Sequence, residues 1–311
     1  MSNPAAARYD MTQTFTLAHF SDLHLSPIVG LSPRYWTTKR ALGFFNWQRH
    51  RRRVHVPAVA KALMDDALSL KIDHIAVTGD LVNLGLPREY EAALSWLQNF
   101  GAPDRITVIP GNHDVYSWIG ADQGFTRWAA YMGAETDSLV FPFVRRIGPL
   151  ALIGLNSAIL TRPGLASGRL GAAQMEVVGD LLERLGNEGA VRVVLIHHPP
   201  LPGMTHPTRA LADAHHFKRV LERSGAELVL YGHNHVTRLD WLSAQDGAIP
   251  ISGAASASAA LASGQDTLAS YGVYTVVKSD RDVRMTRTIR GIASDGGDVV
   301  ELSDEVLMPP S

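Results

Sequence analysis

The chain has 311 residues, 46% of them apolar, no cysteine and a formal net charge of −1. That length can bury a large core, the balanced charge gives no global pull towards nucleic acid or an anionic membrane, and the missing thiols exclude disulfides, thiolate nucleophiles and sulfur-ligated metals, leaving oxygen and nitrogen donors. Residues 1–14 lack a basic flank followed by an apolar run, and no stretch approaches the roughly 20 apolar residues that cross a bilayer, so the sequence reads as a cytoplasmic protein with a short N-terminal extension.

In chain order, Phe15 to Phe20 predicts a strand, Val54 to Leu70 a helix, His74 to Val77 a strand, Pro87 to Phe100 a helix and Ile106 to Ile109 a strand. This alternation argues for strand-helix-strand units and a largely parallel core. A helix near Phe125 to Met132, paired strands at Phe141 to Arg146 and Ala151 to Asn156, and a helix from Ala172 to Leu185 follow. The alternation resumes with a strand at Val191 to Ile196, a helix at Ala212 to Arg223 and a strand at Leu228 to Tyr231. Val236 to Leu242, Gly272 to Lys278 and Val283 to Ile289 lack long helices between them and read as antiparallel strands. Two sheets packed face to face with helices outside accommodate all of these, as a single domain over 15–291. The Ala, Ser and Gly run from Ala254 to Ser263 reads as a flexible loop in preference to a small-residue wall beside a site. The acidic, glycine-containing stretch 292–311 reads as a flexible tail.

Polar residues gather where the predicted strands stop: Asp22 and His24 after the first, Asp80 after the second, Asn112, His113 and Asp114 after the third, then His197 and His198, and finally His233 and His235. In an α/β sheet the carboxyl ends of strands face a common crevice, so these residues converge. Residues two apart in an extended chain share a side, which would aim Asp22 with His24, and His233 with His235, inward together. A mixed oxygen and nitrogen donor set suits zinc, manganese or iron rather than calcium. Seven donors exceed what one ion takes while leaving room for water, so two ions sharing one carboxylate fit better. Each motif alone is turn chemistry as readily as a site; Gly111-Asn112 in particular suits a left-handed turn. Their ordered combination at successive strand ends carries the argument. The other histidines, His19, His50, His55, His74, His206, His215 and His216, read as structural or surface residues, with His19 in the core.

The ordered set Asp22-x-His24, Gly79-Asp80, Gly111-Asn112-His113-Asp114, His197-x-Pro199 and Gly232-His233-x-His235 resembles the calcineurin-like metallophosphoesterase signature over roughly Phe15 to Val236. The stretches Gly79 to Asn83 and His197 to Pro200 are most similar to the bacterial branch with class III cyclic nucleotide phosphodiesterases and glycerophosphodiesterases. The resemblance implies a four-layer α/β/β/α sandwich of two mixed sheets, with two metals bridged by one aspartate and a hydroxide. Carried over by position, it assigns Asp22, His24, Asp80 and His235 to the first metal and Asp80, Asn112, His197 and His233 to the second. It gives His113 to the phosphate and the leaving oxygen, with Asp114 orienting its ring. Asn83 and His198 stand as candidate substrate contacts.

Between the first ligand pair and the first long helix, Leu31 to Arg53 carries Arg34, Lys39, Arg40, Arg49, Arg51, Arg52 and Arg53 interleaved with Tyr35, Trp36, Phe44, Phe45 and Trp47, without an acidic residue. Such a segment could meet anionic lipid headgroups, giving a membrane-peripheral protein, or grip a phosphate-bearing substrate as a lid; aromatics packed beneath solvated arginines are the plain alternative. The rest of the chain offers no matching basic surface for nucleic acid. Three functions follow from these readings: a phosphodiesterase acting on a small diester, a hydrolase of a lipid-linked phosphoester or pyrophosphate, and a non-catalytic scaffold, with intact ligand positions weighing against the last.

Overall fold

The computed structural model of the protein describes residues 12–119, 123–133, 139–264, 266–279, 282–294 and 296–307. Alternation of side chains along the strands decides the layering. In β1 (Gln13–Phe20), Phe15 and Leu17 point between two sheets while Ala18 and Phe20 point outward. The same split recurs in β2 (His74–Val77) and, across the other sheet, in β6 (Val191–Leu195) and β7 (Leu228–Tyr231). The first sheet is completed by β3 (Ile106–Val108), β10 (Ser270–Lys278), β11 (Val283–Ile292) and β12 (Val299–Val306), in the order β12-β11-β10-β1-β2-β3. The second comprises β4 (Phe143–Ile147), β5 (Leu150–Gly154), β6, β7, β8 (Arg238–Ala244) and β9 (Gly247–Gly253), in the order β4-β5-β6-β7-β9-β8. Both sheets are mixed.

Helices α3 (Pro57–Ser69) and α4 (Pro87–Phe100) cover the outer face of the first sheet with Leu63, Met64, Tyr90 and Leu97. Helices α5 (Ala172–Asn187) and α6 (Ala214–Ser224) cover the second with Met175, Leu182, Phe217 and Leu221. The result is the expected four-layer α/β/β/α sandwich. A polar bridge crosses the apolar layer between the sheets: Arg287 on β11 donates to Ser252 Oγ (2.8 Å) and Arg238 O (3.1 Å), and Tyr274 Oη donates to the same Ser252 oxygen at 2.8 Å.

Several expectations need correction. The 292–311 stretch is not simply a flexible tail, because Val299–Val306 pairs antiparallel with β11. Its acidic residues find partners across the pair, Glu305 with Arg287 at 2.6 Å and Asp304 with Thr288 at 2.6 Å, which is how opposite charges stabilise neighbouring strands. Residues 1–11 of the N-terminal extension and 308–311 of the tail lie outside the described residues. Strand β9 escapes a sequence reading because Pro250 and two glycines interrupt its pattern, yet it lies between β7 and β8. Phe125–Met132 is a 3-10 rather than an α-helix.

The insertion 31–53 is mostly helical. Helix α1 (Thr38–Asn46), capped by Thr37 Oγ1 accepting from Arg40 N at 3.2 Å, runs into a π-helical turn (Trp47–Arg51) and a last turn, α2 (Arg52–Val54). The run from Ala254 is a wall rather than a flexible loop: Ala255, Ala257 and Ala259 are fully buried, Ser256 Oγ donates to Asp22 O at 2.6 Å, and Ala257 N donates to Ser21 O at 2.9 Å. Small side chains are needed there because the backbone itself presses on the loop after β1.

Arg287→Ala removes a charged donor that joins the two sheets. It should lower the unfolding free energy by about 1.5–3 kcal/mol, the usual range for hydrogen bonds to a charged group, read from urea unfolding with an unchanged m value.

Candidate metal centre

The loops after β1, β2, β3, β6 and β7 meet at one end of the sandwich, where the strands of both sheets stop. Asp22, His24, Asp80, His233 and His235 all have left-handed backbone angles, with φ of 53°, 41°, 56°, 69° and 55°. The pairs two residues apart are therefore not aimed inward by extended chain, as the spacing suggested, but by tight turns. Each such non-glycine conformation costs of order 1–3 kcal/mol, and its clustering is a mark of a functional site. The turns are held from outside. Asp22 N donates to Gly79 O (3.0 Å), His24 N to Asp80 O (2.9 Å) and Leu25 N to Leu81 O (2.9 Å), which zips the first two loops together. A Cβ on Gly79, itself at φ +91°, would press on the backbone of Gly111, so only glycine lets the second and third loops touch.

Asp114 does not orient His113. Its buried carboxylate accepts from Asp80 N (2.8 Å), Leu81 N (3.0 Å), Val82 N (3.2 Å) and Gly111 N (2.8 Å), tying the Asp80 loop to the Asn112 loop. Burial, and then the neighbouring Asp80 charge, push its pKa up to about 7.

Three donor clusters interlock. Asp22, His24 and His235 form one and Asp80, His197 and His233 another, and the group of His24, Asp80 and His113 joins them by sharing His24 with the first and Asp80 with the second. Asp80 Oδ2 lies 3.8 Å from His24 Nε2 and 3.5 Å from His197 Nε2, while its Oδ1 accepts from His113 N at 2.7 Å. Asn112 Oδ1 is 3.1 Å from His197 Nε2. The partners behind the rings fix which nitrogen faces the centre, as outer hydrogen bonds do for metal-binding histidines. His24 Nδ1 reaches Val82 O (3.3 Å), His197 Nδ1 reaches Thr78 O (2.7 Å) and His235 Nδ1 reaches Asp266 Oδ2 (3.1 Å). Those contacts turn the other nitrogen of each ring inward: His24 Nε2 and His235 Nε2 are 3.3 Å apart, and His197 Nε2 and His233 Nδ1 are 3.2 Å apart. Asp22 Oδ1 is buried without a hydrogen-bond donor although His235 Nε2 stands 3.3 Å away. Converging ring nitrogens and an orphaned carboxylate oxygen are the environment a cation satisfies, and oxygen with imidazole nitrogen suits first-row transition metals.

The proton affinities say the same. Burial opposes charge on His197 and His235, but Asp80 and Asp22 outweigh it and raise each to about 9. Asp80 is held well below the usual carboxylate range despite burial, chiefly by His197. Burial and neighbouring cations keep His24 and His233 well below the ordinary imidazole value. The centre thus concentrates positive charge around two buried carboxylates.

The remaining candidates divide. His113 Nδ1 donates to Asn83 O at 2.5 Å, and burial followed by the nearby Arg51 charge lowers its pKa to about 4. In this state it is a neutral ring accepting at Nε2, not the proton donor expected of an ordinary imidazole. Asn83 lines the cavity, as a substrate contact requires; its Nδ2 donates to Leu25 O at 2.8 Å. His198 faces away: both nitrogens are used, by Ser157 Oγ (2.8 Å) and Ala166 O (3.2 Å), so it supports the rings of His197 and His233 rather than a substrate. His19 is buried on Thr78 Oγ1 at 2.8 Å, as expected. His55, taken as an ordinary histidine, packs its ring 4.6 Å from that of His24 and bonds Ser258 Oγ at 2.9 Å. Sequence reasoning missed Asp266, the carboxylate behind His235, and Arg209, whose Nη2 donates to His233 O at 2.7 Å. Neither sits in a motif.

The centre floors a cavity of about 500 Å³ whose wall includes Lys39, Arg51, Tyr116, Arg209 and Asp266. The insertion roofs it. Arg40 is buried, donating to Leu84 O, Tyr35 O and Gly85 O at 3.1, 3.1 and 2.7 Å. Gly43 permits close docking, since a Cβ there would collide with the Tyr116 hydroxyl and meet Leu84 at 2.8 Å. Arg40 and Arg51 therefore point inward, leaving Arg34, Arg49, Arg52 and Arg53 as the exposed basic residues of the segment. No helix among the described residues is long and apolar enough to cross a membrane.

Residues 15–237 match the family model of the calcineurin-like phosphoesterases, and the chain belongs to that family. The matched region, with its donor clusters, is that of a metal-dependent phosphoesterase. It is 29% identical over 192 residues, 58% of its length, to a protein of Psychrobacter sp. (strain PRwf-1) named as a probable cyclic nucleotide phosphodiesterase, of which the match spans 53%. A Synechococcus sp. (strain ATCC 27144 / PCC 6301 / SAUG 1402/1) protein with the same description is 28% identical over 227 residues, covering 71% of this chain and 74% of that one. The fold is also that of a dimetal phosphatase from Danio rerio, with a TM-score of 0.57 at 12% identity over 93% of this chain and 98% of the other.

Metal-stripped protein should gain thermal stability when manganese, zinc or iron is restored, by about 2.7 kcal/mol at a hundredfold excess over the dissociation constant; melting curves should show no such shift for Asp80→Ala. Asp114→Asn should lower both melting temperature and bound metal measured by elemental analysis, because the amide turns an NH2 group towards backbone donors.

Proposed function

We propose that the protein is a phosphodiesterase for a small phosphodiester, of the cyclic nucleotide or glycerophosphodiester kind, working with two metal ions among manganese, iron and zinc. The observation that carries this reading is the position of Asp80 Oδ2 between the two histidine clusters. Asp22, His24, Asp80 and His235 would hold one ion, and Asp80, Asn112, His197 and His233 the other. When bound, the pair would supply hydroxide near neutral pH and offset charge on the phosphoryl oxygens.

The chain's own residues do the rest. Asp266, Val82 O and Thr78 O hold three imidazoles in the orientation that presents their inner nitrogens. Asn83 O fixes His113, whose Nε2 meets Arg51 on the cavity side. The wall residues Lys39, Arg51 and Arg209 give that cavity a cationic lining suited to a phosphate anion. The names carried by the Psychrobacter and Synechococcus relatives favour a cyclic nucleotide among small diesters.

A second reading, a lipid-linked phosphoester or pyrophosphate, draws on one observation. Leu42 and Leu165 line the cavity while 57% and 39% exposed, an apolar rim that a lipid tail could use.

Metal-reconstituted enzyme assayed on a cyclic nucleotide, a chromogenic diester, a monoester and a nucleotide-sugar pyrophosphate should prefer the diesters, and Asp80→Ala should abolish the activity. His113→Ala should lower turnover while retaining its metals. Cleavage of the pyrophosphate alone would move the assignment to the second reading.

A further inference from the structure

We propose that Arg51, carried into the centre by the insertion, is a phosphate-binding residue whose guanidinium, set against the His24 and His113 rings, serves the phosphoryl oxygens of a bound ester. The proposal rests on the phosphoesterase reading of the site and adds to it a residue outside every motif.

Helical geometry explains why this arginine, rather than one of its neighbours, arrives there. Lys39, Leu42, Gly43, Asn46 and Trp47 line the cavity, a spacing of three, four, seven and eight residues along one face of α1. In an unbroken α-helix that face recurs after about 11 residues, three turns of 3.6, which would present His50. The π-helical turn over Trp47–Arg51 takes up one extra residue, so the twelfth position after Lys39 faces the cavity instead. Gln48, Arg49, His50, Arg52 and Arg53 remain exposed.

The contacts are unusual for an arginine. Nη2 donates to His24 Nε2 at 2.9 Å and Nη1 to His113 Nε2 at 3.0 Å. Both partners are ring nitrogens, not carboxylates. The carboxylates of Asp80, Asp22 and Asp266 act on it only through space, while burial pushes its pKa down. A guanidinium has five N–H donors, and even a half-buried cation without a paired anion is left under-compensated. The anion that the reaction brings is the phosphate of substrate or product, for which a planar fork of donors is well matched. Lys39 and Arg209 are less available, being engaged with Thr161 Oγ1 (2.9 Å) and His233 O (2.7 Å).

The position of Arg51 gives the proposal its signature. It lies beside the donor cluster of Asp22, His24 and His235 without belonging to it. Removing Arg51 should therefore weaken phosphate binding without weakening metal binding, a split that a general loss of structure would not produce.

The test is calorimetric titration of manganese into metal-free protein, then of inorganic phosphate into the manganese-loaded protein, for wild type, Arg51→Ala, Arg51→Lys and the exposed neighbour Arg52→Ala. The expected result is phosphate affinity lower by about 10- to 100-fold in Arg51→Ala, partly restored in Arg51→Lys, with manganese affinity equal or higher and Arg52→Ala unchanged on both counts. Unchanged phosphate affinity in Arg51→Ala, or a fall in both affinities, overturns the role of Arg51. Wild type that takes up manganese and cleaves a diester in either case leaves the parent reading intact, whereas wild type that takes up none refutes that reading itself.

Discussion

Two buried carboxylates at the tips of adjacent strands are the constraint around which this protein is organised. Asp22 and Asp80 lie at the end of the first sheet's central strands, essentially without solvent. Burying an uncompensated charge is prohibitive, so the surroundings must be cationic or able to hold cations. Imidazoles from the second sheet, on His197, His233 and His235, supply that environment. The strand ends of the two face-packed sheets therefore have to lie together here, and the polar bridge of Arg287, Tyr274 and Ser252 and the apolar layer between the sheets fix how they do so.

Strain and restraint are balanced in the loops. Five donor residues sit in left-handed turns, and a chain free to relax would leave them. It is held by the zipper between the first two loops, by Asp114 beneath the second and third, and by the small-residue wall against the first. Rigid placement of donors before a ligand arrives is what a metal centre needs, because reorganisation on binding would be subtracted from affinity.

The insertion adds a different kind of control. Its arginines do two jobs: Arg40 ties the helix to the loop after β2, while Arg51 reaches the centre. A segment that looks from composition like a membrane-facing patch thus spends two of its cations inward. The aromatic side chains partly confirm the plain alternative, with Phe44 packed on Trp36 and Trp47; Trp36 and Phe45 remain 43% and 57% exposed.

What the sequence determined by itself is the frame. Apolar runs of period two and helices of period 3.6 reveal most strands and helices, and polar residues immediately after those strands reveal which side chains gather, because both patterns are local and repeated. The convergence of Asp22, His24, Asp80, Asn112, His197, His233 and His235 was legible for that reason. Tertiary structure decided everything that depends on a partner distant in the chain. Asp266 matters only because His235 folds back against it, His198 turns away only because Ser157 and Ala166 claim its nitrogens, and Asp114 braces loops instead of a ring because four backbone N–H groups converge on it. Strand β9 survives its proline, and β12 its acidic composition, because neighbouring strands supply hydrogen bonds and charges that no window of sequence contains. The face on which Arg51 emerges was likewise beyond the sequence, since one widened helical turn, not composition, aims it at the metal centre.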